Sequence, residues 1–137
     1  TITKSILCLF ASKGPLRFDN NSPINLQNDW LRIASSKNYH HFFPRSYLKK
    51  MGVSKSEYDV ITNITLVDDY LNKREIKDKA PSVYMKKFRQ QNKGLAKAMS
   101  THLIKDLNGF GVWKDDYKQF IENRGNLIFS ELQKLIV

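Results

Sequence analysis

A single cysteine, Cys8, in 137 residues leaves no disulfide framework within the chain and no cysteine-based zinc site. Because Cys8 lies in the apolar stretch TKSILCLFA, it is expected to be a small buried residue, and its chemistry suits a reducing cytoplasm. Long apolar runs are missing too: none approaches the roughly 20 residues that a membrane-spanning helix needs. The opening TITKSILCLFA is too short and too polar for a secretory signal, and no cleavage pattern follows it. Repeats and low-complexity tracts are also absent, and the chain starts at Thr1 rather than Met, which reads as a fragment or as a chain from which tag residues have been removed. Acidic residues are scarce, 13 against 23 Lys plus Arg, giving a formal charge of +10. The corresponding pI is near 9.7. Such an excess on a small domain points to a polyanionic partner, most often nucleic acid, although charge serving solubility alone would look the same. It does not separate a nuclease from a passive binder.

What remains is enough for one soluble domain with a modest core: 41% of residues are hydrophobic and the mean hydropathy is −0.49. Ile6, Leu7, Leu9 and Phe10 predict a short buried helix stopped by Gly14 and Pro15. RFDNNSPINLQND is turn-rich, and DWLRIASS predicts a brief helix capped by Asp29. Residues 37 to 48 read as a strand broken at Pro44, and MGVSKSEYDV reads as a loop. The alternation in ITNITLVDD predicts a second short strand. DDYLNKREIKDK has helical character, with Tyr70 and Leu71 against Ile76. A helix opens at Pro81 and Ser82, with Tyr84 and Phe88 four apart, and an apolar set of Leu95, Met99 and Leu103 continues past Gly94.

The clearest helix is DDYKQFIENRGNLIFSELQKLIV, capped by Asp115 or Asp116 and weakened locally by Gly125. Its stripe comprises Tyr117, Phe120, Ile121, Leu127, Ile128, Leu132 and Leu135. The fold class is therefore α+β, a small strand–loop–strand–helix unit surrounded by helices.

Chemistry concentrates around SKNYHHFFPRSYLKK, where His40 and His41 end the first strand. Asn63 begins the second strand and Asn72 lies on the following helix. Taken singly, these residues have plainer readings: paired histidines as partly exposed strand residues, Asn63 as a turn cap, Asn72 on a solvated face. His102 reads as structural or merely exposed.

In that order, HHFFPRSYL, NITLVDDYLN and KDKAPSVYM resemble the HNH endonuclease family, whose fold is the ββα-metal motif. The likeness is densest between residues 38 and 85, and WKDDYKQFIENRGNLIFSEL is similar to the terminal helix of the C-terminal nuclease domain in GmrSD-type modification-dependent restriction enzymes. The resemblance implies a single nuclease-like domain over residues 1–137, with a metal core at about 37–80, forming the C-terminal part of a longer protein. It implies hydrolysis of DNA phosphodiester bonds with one divalent ion. His41 would be the general base, near neutrality by its ordinary pKa. Asn63 would orient its imidazole through side chain or backbone carbonyl, and His40 and Asn72 would hold the ion.

The commonest family pattern has aspartate at the position of His40. Two neutral ligands suit Mg²⁺ poorly and favour Mn²⁺, Co²⁺ or Ni²⁺, with Asp68 or Asp69 as a further carboxylate source. Mg²⁺ or Mn²⁺ is the expected cofactor, with Ni²⁺ or Co²⁺ also admissible. Arg45, Lys49, Lys73, Lys79, Lys86 and Lys87 are the expected contacts to a DNA backbone, without sequence readout.

The implied setting is cytoplasmic restriction or phage defence, with an N-terminal nucleotide-dependent domain elsewhere in the same protein and no membrane. The rival readings are a non-catalytic nucleic-acid-binding module with a degenerate HNH site, and a protein-interaction domain whose charge only keeps it soluble.

Overall fold

The computed structural model describes residues 2–24, 26, 40–67 and 69–136, with Asp69 described by its backbone alone. The helix expected over DWLRIASS, its Asp29 cap, and Asp68 lie outside the described residues.

The first helix, α1 (Ile2–Ser12), forms because Ile6, Leu7, Leu9 and Phe10 fall on one side of the turn and are buried. Gly14, at φ 63°, then lets the chain leave in a left-handed conformation. Cys8 falls on the opposite side of α1 and is exposed, correcting the expectation of burial. At about 100° per residue, position 8 points away from the face that Ile6, Leu7, Leu9 and Phe10 share.

The expected strand over 37 to 48 is cut to β1 (His40–His41), paired antiparallel with β2 (Ile64–Thr65) in the register His40↔Thr65 and His41↔Ile64. Pro44 does more than break the strand. Its fixed φ of −57° sets it at the threshold of a helix, α2 (Arg45–Lys50), which takes Tyr47 and Leu48 out of any strand. The supposed loop that follows contains a single turn, α3 (Lys55–Tyr58), and β2 is entered from a 3₁₀ turn at Ile61–Asn63. Asn63 therefore precedes the second strand rather than beginning it.

After β2 comes α4 (Asp69–Leu71), which widens into a π turn at Asn72–Ile76. Leu71 and Ile76 are buried as expected, whereas Tyr70 is exposed and lies under the Arg74 guanidinium. The π turn closes at Lys77, whose φ of 51° and ψ of −120° are rare for a residue with a side chain. Pro81 then opens α5 (Pro81–Gln91) at its first position, where a missing N–H costs nothing. The next N–H, from Ser82, is accepted by Asp115 at 2.8 Å. Asp115 thus serves α5, while Asp116 caps the last helix through the Gln119 N–H at 3.1 Å.

Two further helices complete the chain, α6 (Leu95–Thr101) and α7 (Tyr117–Ile136). Leu103 lies beyond α6 at φ 59°, yet remains buried against α1. On α7, Phe120 and Ile128 reach the core, and Leu135 does not: it is exposed near the end of the helix. Among the described residues the architecture is α+β, mostly helical, around one two-stranded antiparallel sheet. No helix among them is long and apolar enough to cross a membrane.

The core is aromatic where the sheet meets the helices. Phe42 and Phe43 follow the histidine pair directly and are fully buried. Phe42 stacks on Phe120 with centroids 4.9 Å apart, and Phe43 packs against Tyr117 and Phe120. The Tyr84 hydroxyl donates to the Phe42 carbonyl, so α5 grips the chain two residues beyond His40. Burying each such ring contributes about 1.5–3 kcal/mol. This packing, rather than a ladder of two residues per strand, holds the histidines in place.

Candidate functional site

His40 and His41 line a cleft of about 290 Å³ together with Pro44, Arg45, Ser46, Asn72 and Lys77. Three elements build it. The sheet delivers the histidines, α2 begins at Arg45, and the π turn delivers Asn72 at its start and Lys77 at its end. Turns of π geometry and left-handed non-glycine residues recur at functional sites, since ordinary helix would aim these side chains elsewhere.

The cleft brings His40 and Asn72 together: His40 Nδ1 lies 2.9 Å from Asn72 Oδ1. His40 is 2% exposed. Burial pulls its pKa down to about 3, against the opposing hydrogen bond to Asn72 and with help from the neighbouring His41 charge. The ring is thus neutral at ordinary pH, the form able to ligate a cation. Two donors about 2.1 Å from one ion and at right angles stand about 3 Å apart, so the observed pair matches joint ligation as well as a hydrogen bond. His40 Nε2 is buried without a hydrogen-bond partner. A neutral imidazole nitrogen beside a neutral amide oxygen fits a two-point cation site. Among the described residues no group of three or more His, Cys, Asp or Glu side chains assembles to hold a metal ion. Water and a substrate phosphate would therefore have to complete the coordination.

His41 turns to a different partner. Its Nε2 is 2.8 Å from Asp59 Oδ1. Arg45 Nε lies 3.0 Å from the same carboxylate oxygen and 3.3 Å from the His41 nitrogen. A bare Nε2 would set two lone pairs against each other at 2.8 Å, so the proton sits on Nε2 and is donated to Asp59. Arg45 then bonds the carboxylate, and Nδ1 is left as the basic nitrogen. Burial lowers the His41 pKa, the Asp59 bond opposes that, and the Arg45 charge adds to it. Partial burial would raise the Asp59 carboxyl, but the His41 bond and the Arg45 charge outweigh it and hold the group below its usual range. A second pocket, of about 270 Å³, shares His41 and Arg45 with the first and adds Asp59. The imidazole therefore stands at the junction of two openings.

Asn63 is set apart from both imidazoles. Its Oδ1 accepts the Phe43 N–H at 2.9 Å, its Nδ2 donates to the Phe43 and Tyr58 carbonyls, and its own carbonyl accepts the Phe42 N–H. It staples the backbone just after the histidines, fully buried. Asp59 makes the contact to His41 expected of Asn63. Nothing local in SEYDV marks it, because its partner lies 18 residues earlier in the chain. Ser46 and Lys77 also went unread as cleft residues. The Asp59 ion pair could have been sought as an acid within loop reach of a histidine-arginine cluster.

Of the expected backbone contacts, Arg45 lines the cleft and its side chain is 58% exposed. Lys49, Lys73 and Lys86 are exposed and Lys79 is half-buried. Lys87 is exposed but is tied to Glu75. His102 is buried in the core, its Nε2 2.8 Å from the Leu16 carbonyl and its ring edge-on to Phe18. Its reading as structural holds.

No family model matches the chain. It is 29% identical over 119 residues to an uncharacterized protein, MJ0686, of Methanocaldococcus jannaschii. The match takes in 71% of this chain and 20% of that protein, so the chain spans about a fifth of its relative's length. No solved structure matches.

Proposed function

We propose that this chain is a metal-dependent HNH-type endonuclease domain that hydrolyses DNA phosphodiester bonds. In this reading it is the cleavage end of a cytoplasmic modification-dependent restriction or phage-defence protein, whose N-terminal nucleotide-dependent domain supplies recognition. The observation that carries it is the 2.9 Å approach of His40 Nδ1 and Asn72 Oδ1 in a cleft that His41 also lines. Two antiparallel strands followed by a helical turn, in that order, support the ββα-metal reading.

His41 acts as general base through Nδ1. It takes a proton from water as the water oxygen bonds to phosphorus, and the bond from phosphorus to the 3′ oxygen breaks on the far side. That oxygen leaves with a proton from solvent. Asp59 fixes the His41 tautomer and favours the imidazolium that forms. Arg45 and Lys77 offer positive charge to the phosphate as it gains charge. His40 and Asn72 would hold the divalent ion, Mn²⁺ or Mg²⁺ first and Ni²⁺ or Co²⁺ also admissible, which supplies electrostatic stabilisation of the phosphate oxygens when bound.

Supercoiled plasmid incubated with the domain and Mn²⁺ or Mg²⁺ should be nicked or cut. His41→Ala, Asn72→Ala or chelator should each reduce cleavage at least 100-fold, on the order expected for losing a general base or metal. Cleavage that persists in His41→Ala and in chelator defeats the proposal.

The two-ligand character of the site favours one second reading, a non-catalytic nucleic-acid-binding module with a degenerate HNH site. It is distinguished by DNA retention that falls with salt, ignores metal and brings no cleavage even in His40→Asp.

A further inference from the structure

A separate cavity of about 480 Å³ lies between α5, α6 and the turns that follow α6, and it shares no lining residue with the histidine cleft. Its floor is apolar: Leu95 and Met99 of α6, and Ile104 just beyond it, are buried. Its mouth is cationic. Arg89, Lys93 and Lys105 are exposed there, and among the described residues none of the three is paired with a carboxylate. Asp106 is the carboxylate on the rim, where it accepts the Asn108 N–H at 3.1 Å, so the mouth keeps an excess of positive charge.

Trp113 forms one wall, half-buried and packed against the core. The Arg89 guanidinium lies over its ring, 4.5 Å from the centroid. Among the described residues that guanidinium makes no hydrogen bond or ion pair, so its N–H donors remain free. The segment that carries the ring is tied down by its own backbone. Phe110 and Gly111 donate to the carbonyls of Asp106 and Asn108 at 2.8 and 3.1 Å, and Val112 donates to that of Leu107 at 3.0 Å. From α7, the Gln119 side chain donates to the Gly109 carbonyl at 2.7 Å. An aromatic wall held in this way costs a ligand little ordering.

A flat ring under a planar cation, an apolar floor and unpaired charge at the mouth match the chemistry of an unstacked nucleotide. The base needs a π-face and cover from water, and its neighbouring phosphates need cations. An acidic peptide would use the cations and leave the ring idle. A duplex would offer phosphates, but its bases are stacked inside the helix and do not reach a half-buried indole. We propose that this cavity is a binding site for single-stranded nucleic acid. One unpaired base sits against Trp113 and the Arg89 guanidinium, and Lys93 and Lys105 meet the phosphates on either side. The site stands apart from the cleft: the chain can hold a strand here whether or not His41 acts on one.

The test reads Trp113 emission in the whole chain, with Trp30→Phe so that a single indole reports, and with chelator present so that no cleavage intervenes. The probes are a short oligothymidylate, an abasic strand of the same length, a blunt duplex, thymidine monophosphate and oligoglutamate. Oligothymidylate should quench the emission, and should half-saturate at a concentration about 5–100-fold below that of the abasic strand, the range expected for one stacked base. Arg89→Lys keeps the charge and loses the plane. It should weaken oligothymidylate about fivefold or more and leave the abasic strand, followed by anisotropy of a labelled copy, within about twofold. Lys93→Gln and Lys105→Gln should weaken both strands alike. Thermal melting of each variant shows that it is folded. Unchanged emission at saturating oligothymidylate overturns the proposal, as does equal affinity for the thymidylate and abasic strands. A duplex or oligoglutamate that quenches as well as the single strand reduces the site to a charged patch and overturns it too. Thymidine monophosphate half-saturating at the same concentration as the strand would make it a free-nucleotide site instead.

Discussion

Asp59 holds a histidine ring on one side and a guanidinium on the other through a single carboxylate oxygen. Removing its charge while keeping its shape should therefore touch chemistry more than folding. Asp59→Asn is expected to lower the single-turnover cleavage rate by about 10–100-fold, with little change in substrate affinity or melting temperature, because the ring loses its fixed tautomer. Measuring kcat and KM separately on plasmid checks it.

His102 makes a different prediction. Burial first, and then the Arg124 charge, pull its pKa down to about 4, against the bond to Leu16. Between that value and the unfolded value of about 6.5, the unfolded chain binds a proton that the folded chain refuses. Stability is complete above the upper value and falls as the pH drops towards the lower one, by on the order of 3 kcal/mol for this group. Urea midpoints from pH 7 to pH 4 should decline in wild type and decline less in His102→Gln.

Arg124 on α7 shows what the elements do for one another. It is 1% exposed. It has no carboxylate among its described contacts, and its guanidinium instead donates to the carbonyls of Thr62, Ile64 and His102, over the ring of Phe10. It thereby ties β2 and its 3₁₀ turn to the last helix. Arg124→Met should cost about 2–4 kcal/mol, since it strands buried carbonyls. One residue on, Gly125 has the opposite expectation. A Cβ there would meet Thr62 Cγ2 at 3.6 Å, an ordinary contact, so Gly125→Ala should add about 1 kcal/mol by helix propensity. Chemical denaturation of the two variants measures both.

These elements also mark how far the sequence could be read. The helices at 81–91 and 117–136 were legible because proline, caps and 3.6-residue spacing are local signals. The strands were overdrawn because alternation in ITNITLVDD and β-branched content outrun the two residues that pair. Residues 45 to 48 read as strand while Pro44 counts only as a breaker, whereas it also opens a helix, Arg45–Lys50. At the site, His40 with Asn72 could be paired by order along the chain, whereas Asp59 and Lys77 depend on turns that no short window encodes.

For the molecule as a whole, the formal charge of +10 sets the dominant expectation for binding. Retention of double-stranded DNA should fall linearly on a log–log plot against salt, and replacing Lys49 or Lys86 by Gln should each reduce the slope by up to about one unit if that residue meets a phosphate. A fluorescence-anisotropy titration across salt reads this directly, apart from any cleavage. On the proposed reading, this separates a binding component carried by surface lysines from a catalytic component confined to the cleft.

The dependence of β2 on Arg124 bears on how this protein can be cut down or borrowed from. Residues 40 to 77 look like a portable cassette, since they hold every side chain of the cleft. Their second strand, however, is anchored from behind by a side chain some sixty positions further along. Grafted into another scaffold without its last helix, the cassette would lose its floor before it met a substrate.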